Sequence, residues 1–313
     1  MTKQPTRRYA YQNHHMDSTR WDKFAPRPDD IVIATSYKSG TTWMQTIVAN
    51  LIFEGGAIPG QVTAMSPWLD MRLFPIDDVI SLLDAQDHRR FIKTHLPLDA
   101  LPYSPQLKYV MVGRDPRDVA MSMLNHHNNF TDEIRAMFEP FTEREEDKLP
   151  GPFSSAQEFW RAHISKGTVE WETDGWPYWS SLRYAQSWWD YRETPNILLV
   201  HYTDMLADLE GEIRRVAAFL GIERSDAEFA RIADATTFSS MKDRASDIVA
   251  MADMIWKGGA KTFINKGTNG RWREHFDATD LALYEEAARR TLSAECRVWL
   301  EHGRLIGAGR AAA

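Results

Sequence analysis

The chain has 313 residues, 43% hydrophobic and 26% charged, enough for one large α/β domain or two small ones. Its 37 basic and 44 acidic residues leave a net charge of -7, which argues against a broad electrostatic grip on nucleic acid, so any anion must be held by a local cluster of cations and amides. The single cysteine, Cys296, excludes an intrachain disulfide and a multi-thiolate metal site. The polar start MTKQPTRRYAYQNHH has no signal-peptide core, and no run of about 18 apolar residues is present, so a cytoplasmic protein without a membrane span is expected.

Residues 1–30 read as an N-terminal extension, and 31–313 as one domain. Four short apolar runs have the character of buried parallel strands: Ile31 to Thr35, Arg90 to Thr94, Tyr109 to Gly113 and Ile197 to His201. Helix-like sequence follows three of them: TTWMQTIVANLIF, PRDVAMSMLNHH and DMLADLEGEIRRVAAFLG. Strand then helix, repeated, predicts an α/β domain whose central parallel sheet is flanked by helices. Ligands of such sheets bind beyond the carboxyl ends of the strands. The stretch from about 130 to 175, acidic at TEREED and broken by LPGPF, reads either as a cover over the site or as a plain surface segment. Tryptophans crowd between Trp160 and Trp189, as core or as acceptor pocket. Ala278 to Leu300 reads as one or two closing amphipathic helices.

The polar clusters fall at the strand ends. Thr35 to Trp43 (TSYKSGTTW) is a strand, a glycine turn and a helix start, which together make an anion cradle. Ser39, Thr41 and Thr42 add hydroxyls and Lys38 a charge. A nucleoside-triphosphate loop would place lysine after the glycine, and here it comes before. No acidic strand end is apparent to hold magnesium either. A simple helix cap is the plainer reading of this loop. The sequence GRDPRDVAMS supplies Arg114 at a strand end and Ser122 two turns into a helix; Arg114 can grip a phosphate bidentately or pair with Asp118. FINKGTNGRWR is either a loop around an anion or an exposed basic turn. Separate clusters fit a nucleotide with phosphates at both ends better than a triphosphate. At the second strand end, Lys93 and His95 share one sheet edge, where histidine is the natural base for an alcohol or phenol. The pairs His14-His15 and His126-His127 lack acidic or cysteine partners at ligand spacing, so no metal site is expected.

With TSYKSGTTW, KTHLP, GRDPRDVAMS and FINKGTNGRW in this order, the chain resembles the cytosolic sulfotransferases that use 3'-phosphoadenosine-5'-phosphosulfate (PAPS), over about Ile31 to Phe276. The resemblance implies a P-loop-like fold, PAPS as co-substrate with adenosine 3',5'-bisphosphate (PAP) as product, no metal, and a small-molecule hydroxyl acceptor of apolar or aromatic character. It places Lys38, Lys93 and His95 at the reaction centre. Ser39, Gly40, Thr41 and Thr42 fall in the 5'-phosphosulfate loop. Arg114, Ser122, Asn265, Lys266 and Gly267 fall around the 3'-phosphate, and Trp43, Tyr202, Thr236 and Phe238 around the adenine. Asn265 stands where that family commonly has arginine, with Arg271 or Arg273 as compensating charges, and Asp277-Ala278 replace a familiar dimer motif, which leaves the oligomeric state open. Two further readings are an ATP–magnesium small-molecule kinase and an inactive nucleotide-binding homologue. Phe74, Trp68, Trp176, Tyr178, Trp179 and Met251 are candidates for the acceptor pocket.

Overall fold

The computed structural model describes residues 4–141 and 151–310. Four strands, β1 (Ile31–Thr35), β2 (Phe91–Thr94), β3 (Lys108–Gly113) and β4 (Ile197–His201), form one parallel sheet in the order β2-β1-β3-β4. Side chains alternate between faces along a strand. Val32, Ala34, Ile92, Tyr109 and Met111 therefore enter one core, while Ile31, Ile33, Phe91, Val110 and Val112 enter the other. Both faces are covered, which is why the strands read as unbroken apolar runs.

The first two predicted helices form as Thr41–Ile52 and Pro116–Asn128, the latter with Asp115 as N-cap and Pro116 at its first turn. The third is two helices, Tyr202–Ala207 and Leu209–Leu220, because Asp208 leaves helical geometry to cap the amide of Gly211. The closing segment is likewise two helices, Ala278–Thr291 and Ala294–Arg310.

Residues read as an extension contribute to the main core: Tyr11, Met16 and Trp21 are buried there. The 130–175 stretch divides in two. Phe130, Ile134 and Phe138 pack into the second core, while the Ala156–Ser165 helix docks on the Ala278–Thr291 helix, with Trp160 donating its indole N–H to the Asp280 carbonyl. TEREED (142–147) lies outside the described residues. Trp160, Tyr178, Trp179 and Trp188 are core side chains, which resolves most of the tryptophan crowding as packing.

The amino ends of β1 and β2 are pinned by a buried ion pair. Arg90 Nε and Nη2 donate to the two Asp30 carboxylate oxygens at 2.9 and 2.5 Å, and Nη2 also donates to the Ala25 carbonyl. Removing one partner of a buried pair costs about 3–5 kcal/mol, because the other is left charged and unmet. Arg90→Ala is therefore expected to lower unfolding free energy in urea by about that amount. A loss under 1 kcal/mol would mean that the pair is in effect solvated.

Candidate active site

The strand order reverses between β1 and β3, so their carboxyl ends flank a crevice suited to ligand binding. At the end of β1 the chain turns sharply through Lys38 (φ 58°) and Gly40 (φ 104°). Both lie in the left-handed region, which glycine adopts freely and lysine only under constraint. Gly40 is the N-cap of the Thr41–Ile52 helix and offers no side-chain bond to its first amides. Those N–H groups and the positive end of the helix dipole therefore face the crevice. A Cβ on Gly40 would stand 3.0 Å from the Tyr202 ring.

Arg114, at the end of β3, does not pair with Asp118. Its Nη1 donates to the Lys38 carbonyl at 3.0 Å, while Nη2 donates to the Thr268 carbonyl at 3.1 Å and to Asn269 Oδ1 at 2.9 Å. The guanidinium lies 4.0 Å from the Tyr202 ring centre. Asp118 instead accepts the Gly270 amide, and burial next to Asp115 pushes its carboxyl up to about 6. The loop after Ile264 is thus tied to both strand ends.

At the end of β2, His95 is 4% exposed and sits against Tyr37 (ring centres 4.3 Å) and edge-on to Trp68 (4.8 Å). Its Nδ1 lies 2.8 Å from the Thr35 carbonyl. A carbonyl only accepts, so Nδ1 carries the hydrogen and Nε2 the lone pair. Burial, with Lys93 second, holds the imidazole well below its usual pKa and therefore neutral. Burial also pulls Lys38 down to about 7, helped by the charges of Lys93 and Arg114, and Lys93 down to about 8. Among the described residues neither ammonium has a carboxylate within ion-pair distance. Lys38 Nζ lies 3.9 Å over Phe263 and Lys93 Nζ 3.8 Å over Trp68. Asp70, wedged between the indole N–H groups of Trp21 and Trp68, is the carboxylate whose field opposes the fall at Lys93.

These groups line one cavity of about 550 Å³. Of the predicted residues, Lys38, Gly40, Thr41, Thr42, Trp43, Lys93, His95, Arg114, Ser122, Tyr202, Phe238, Asn265, Lys266 and Gly267 reach it. Ser39 and Thr236 do not. Ser39 is fully buried with its hydroxyl 2.6 Å from that of Ser36, and Thr236 bonds the Ile232 carbonyl while its own carbonyl accepts the Trp43 indole at 2.8 Å. Both shape the walls from behind. A Cβ on Gly267 (φ +66°) would meet Phe238 at 2.2 Å, so only glycine lets this loop close on that ring. Arg271 lines the cavity; Arg273 does not, and lies over Trp272. Of the acceptor-pocket candidates, Trp68, Phe74 and Met251 line it, whereas Trp176, Tyr178 and Trp179 do not. Sequence reasoning passed over His15 and His126, which do. Asp118, Ser122 and His126 recur at four-residue spacing along one helix face, and that spacing was the available signal.

A parallel α/β sheet whose strand ends gather a buried neutral histidine and buried lysines with no carboxylate in ion-pair range among the described residues suits group transfer from an anionic, nucleotide-like donor. The chain belongs to the sulfotransferase domain family, whose model matches residues 28–294. It is 35% identical to a glycolipid sulfotransferase of Mycobacterium bovis over 96% of both chains, and 30% identical to human sulfotransferase 1E1 over 82% of both. Among solved structures it resembles a mouse sulfotransferase complexed with PAP (TM-score 0.67, 25% identity, covering 94% of this chain and 92% of that one). It also resembles a retinol dehydratase in complex with retinol and PAP (TM-score 0.69, 25% identity, 88% and 84%). Among the described residues no helix is long and apolar enough to cross a membrane, and no group of three or more His, Cys, Asp or Glu is placed to hold a metal.

The lysine environment gives a direct expectation. In ¹³C-labelled protein, two lysine side-chain signals should titrate near 7 and near 8, and Lys38→Met should remove the lower one. A bound dianion favours the charged form and should raise both. Lysines that all titrate near their ordinary value would show that water reaches these ammonium groups.

Proposed function

We propose that the protein transfers the sulfuryl group of PAPS to a hydroxyl of a small acceptor with apolar or aromatic surface, giving a sulfate ester and PAP, and that it does so in the cytoplasm. The observation that carries the reading is His95: its hydrogen is committed to the Thr35 carbonyl through Nδ1, and it lies beside two ammonium groups that have no carboxylate within ion-pair distance among the described residues.

The residues present fit the donor. The uncapped start of the Thr41–Ile52 helix, with Thr42 and Lys38, suits the 5'-phosphosulfate. Arg114, Ser122, Asn265, Lys266 and Gly267 would surround the 3'-phosphate, with Arg271 available as the charge that Asn265 does not supply. Trp43 and Tyr202, 5.2 Å apart and nearly perpendicular, would frame the adenine with Phe238. PAP in the mouse sulfotransferase and the retinol dehydratase complexes supports this assignment.

In the reaction, His95 Nε2 takes the acceptor proton while the acceptor oxygen bonds to sulfur and the bond from sulfur to the leaving phosphate oxygen breaks. Lys38 neutralises charge on that oxygen and Lys93 on the sulfuryl oxygens. Fixed ammonium groups in a dry site act strongly and need little reorganisation. Phe74, Leu82 and Met251 line the same cavity while remaining 42%, 60% and 45% exposed, so its rim is apolar. That rim suits an acceptor with apolar surface, as do the glycolipid named for the mycobacterial relative and the retinol bound by the dehydratase.

Transfer of ³⁵S from labelled PAPS to a panel of phenols, alcohols and glycolipids tests the reading. His95→Ala should lower kcat by at least about 10²-fold, given typical general-base contributions. PAP should raise the Tm of the wild-type protein and ATP with magnesium should not. An ATP-dependent phosphorylated product, or undiminished turnover by His95→Ala, would overturn the assignment.

A further inference from the structure

Two histidines that this reaction does not use stand beside its centre. His126 lines the cavity, and its Nδ1 lies 3.0 Å from the Trp256 indole nitrogen. An indole N–H only donates, so this Nδ1 is the accepting nitrogen. Burial, with the Lys38 charge next, holds the ring neutral. The one ring hydrogen must then be on Nε2, which has no protein partner among the described residues. Trp256 thus fixes His126 as a neutral donor.

His15 is the second. It is 5% exposed, lines the same cavity, and has both ring nitrogens buried without a hydrogen-bond partner among the described residues. It shares its aromatic neighbours with the base: Trp68 lies 5.0 Å from His15 and 4.8 Å from His95, while Tyr37 lies 6.1 Å and 4.3 Å away. Buried polar atoms are nearly always satisfied, so an imidazole left unmet at a cavity wall points to a ligand. A neutral imidazole offers one donor and one acceptor, which matches hydroxyl groups rather than carboxylates or phosphates.

We propose that His15 and His126 form a neutral hydrogen-bonding subsite for oxygens flanking the accepting hydroxyl, so that the acceptor is a polyhydroxylated ring carried on an apolar chain. This rests on the sulfuryl-transfer reading above. The ring sits against His95 with its neighbouring hydroxyls on the two histidines, and the chain leaves past Phe74, Leu82 and Met251. An acceptor with one isolated hydroxyl satisfies His95 alone and leaves buried nitrogens unmet, which is the situation in which polar sites discriminate most strongly.

The test compares two probes of equal chain length with labelled PAPS: octyl β-glucoside and 4-octyloxycyclohexanol, which carries one hydroxyl. Wild type is expected to favour the glucoside by at least about 10-fold in kcat/KM, the effect of a hydrogen bond or two. His126→Phe and His15→Phe should each cut that selectivity ratio about 10-fold, and His126→Gln, which keeps an N–H donor, should recover part of it. Trp256→Phe, which frees the tautomer, should raise KM for the glucoside more than it changes kcat. PAP-induced thermal shifts confirm that each variant folds, and the wild-type ratio decides alone where a variant does not. A wild-type preference for the cyclohexanol, or a ratio unmoved by both phenylalanine variants, overturns the proposal. Turnover of neither probe by a protein that still binds PAP also overturns it while leaving sulfuryl transfer intact, whereas failure to bind PAP defeats the transfer reading itself.

Discussion

Two buried ammonium groups, with no carboxylate in ion-pair range among the described residues, govern this molecule. Lys38 and Lys93 are held in a dry cavity where their charge is costly, and burial shifts both toward the neutral form. A protein that only needed to be stable would place an acid beside each. Here Asp70 is kept back by two indole N–H groups, and Asp118 is turned to the Gly270 amide. The cavity therefore holds positive charge in reserve for a dianionic donor. Burial, together with the same charges, also keeps His95 neutral, as the proposed base must be.

The sheet makes this arrangement feasible. Parallel strands end at one edge, so Thr35, Thr94 and Gly113 bring three polar loops to one place, with no long excursions. The strain of a left-handed Lys38 is met by the Arg114 bond to its carbonyl, and the ion pair of Arg90 with Asp30 anchors the opposite end of the same strands. Positioning is thus achieved by backbone geometry, which costs no reorganisation during reaction.

The donor side was legible in the sequence because it is built from loops at strand ends, where glycine, proline and cations stand out against apolar runs. Lys38, Lys93, His95 and Arg114 all lie within two or three residues of a strand terminus. Ser39 and Thr236 neighbour residues that reach the cavity, but a loop's composition does not say which hydroxyls turn inward. The proposed acceptor side was less legible. Its wall draws on His15, Trp68, Phe74, Phe130, Phe138 and Met251, which come from irregular or short elements far apart in the chain. Apolar residues there look like any core, as Trp160, Trp179 and Trp188 in fact are. His126 was passed over as well, although helical periodicity from Ser122 points to it.

Arg114 clasps the carbonyl of Lys38 on one side and Thr268 and Asn269 on the other, so these two loops of the cavity are a single mechanical part. Neither can be exchanged for a homologous loop without refitting the other, whereas the opposite wall of the cavity is assembled from separate short pieces joined by single contacts, such as the Ala250 amide to Thr63 Oγ1. A change in either loop is therefore felt in the other through Arg114, whereas a change in one segment of the opposite wall has a shorter reach.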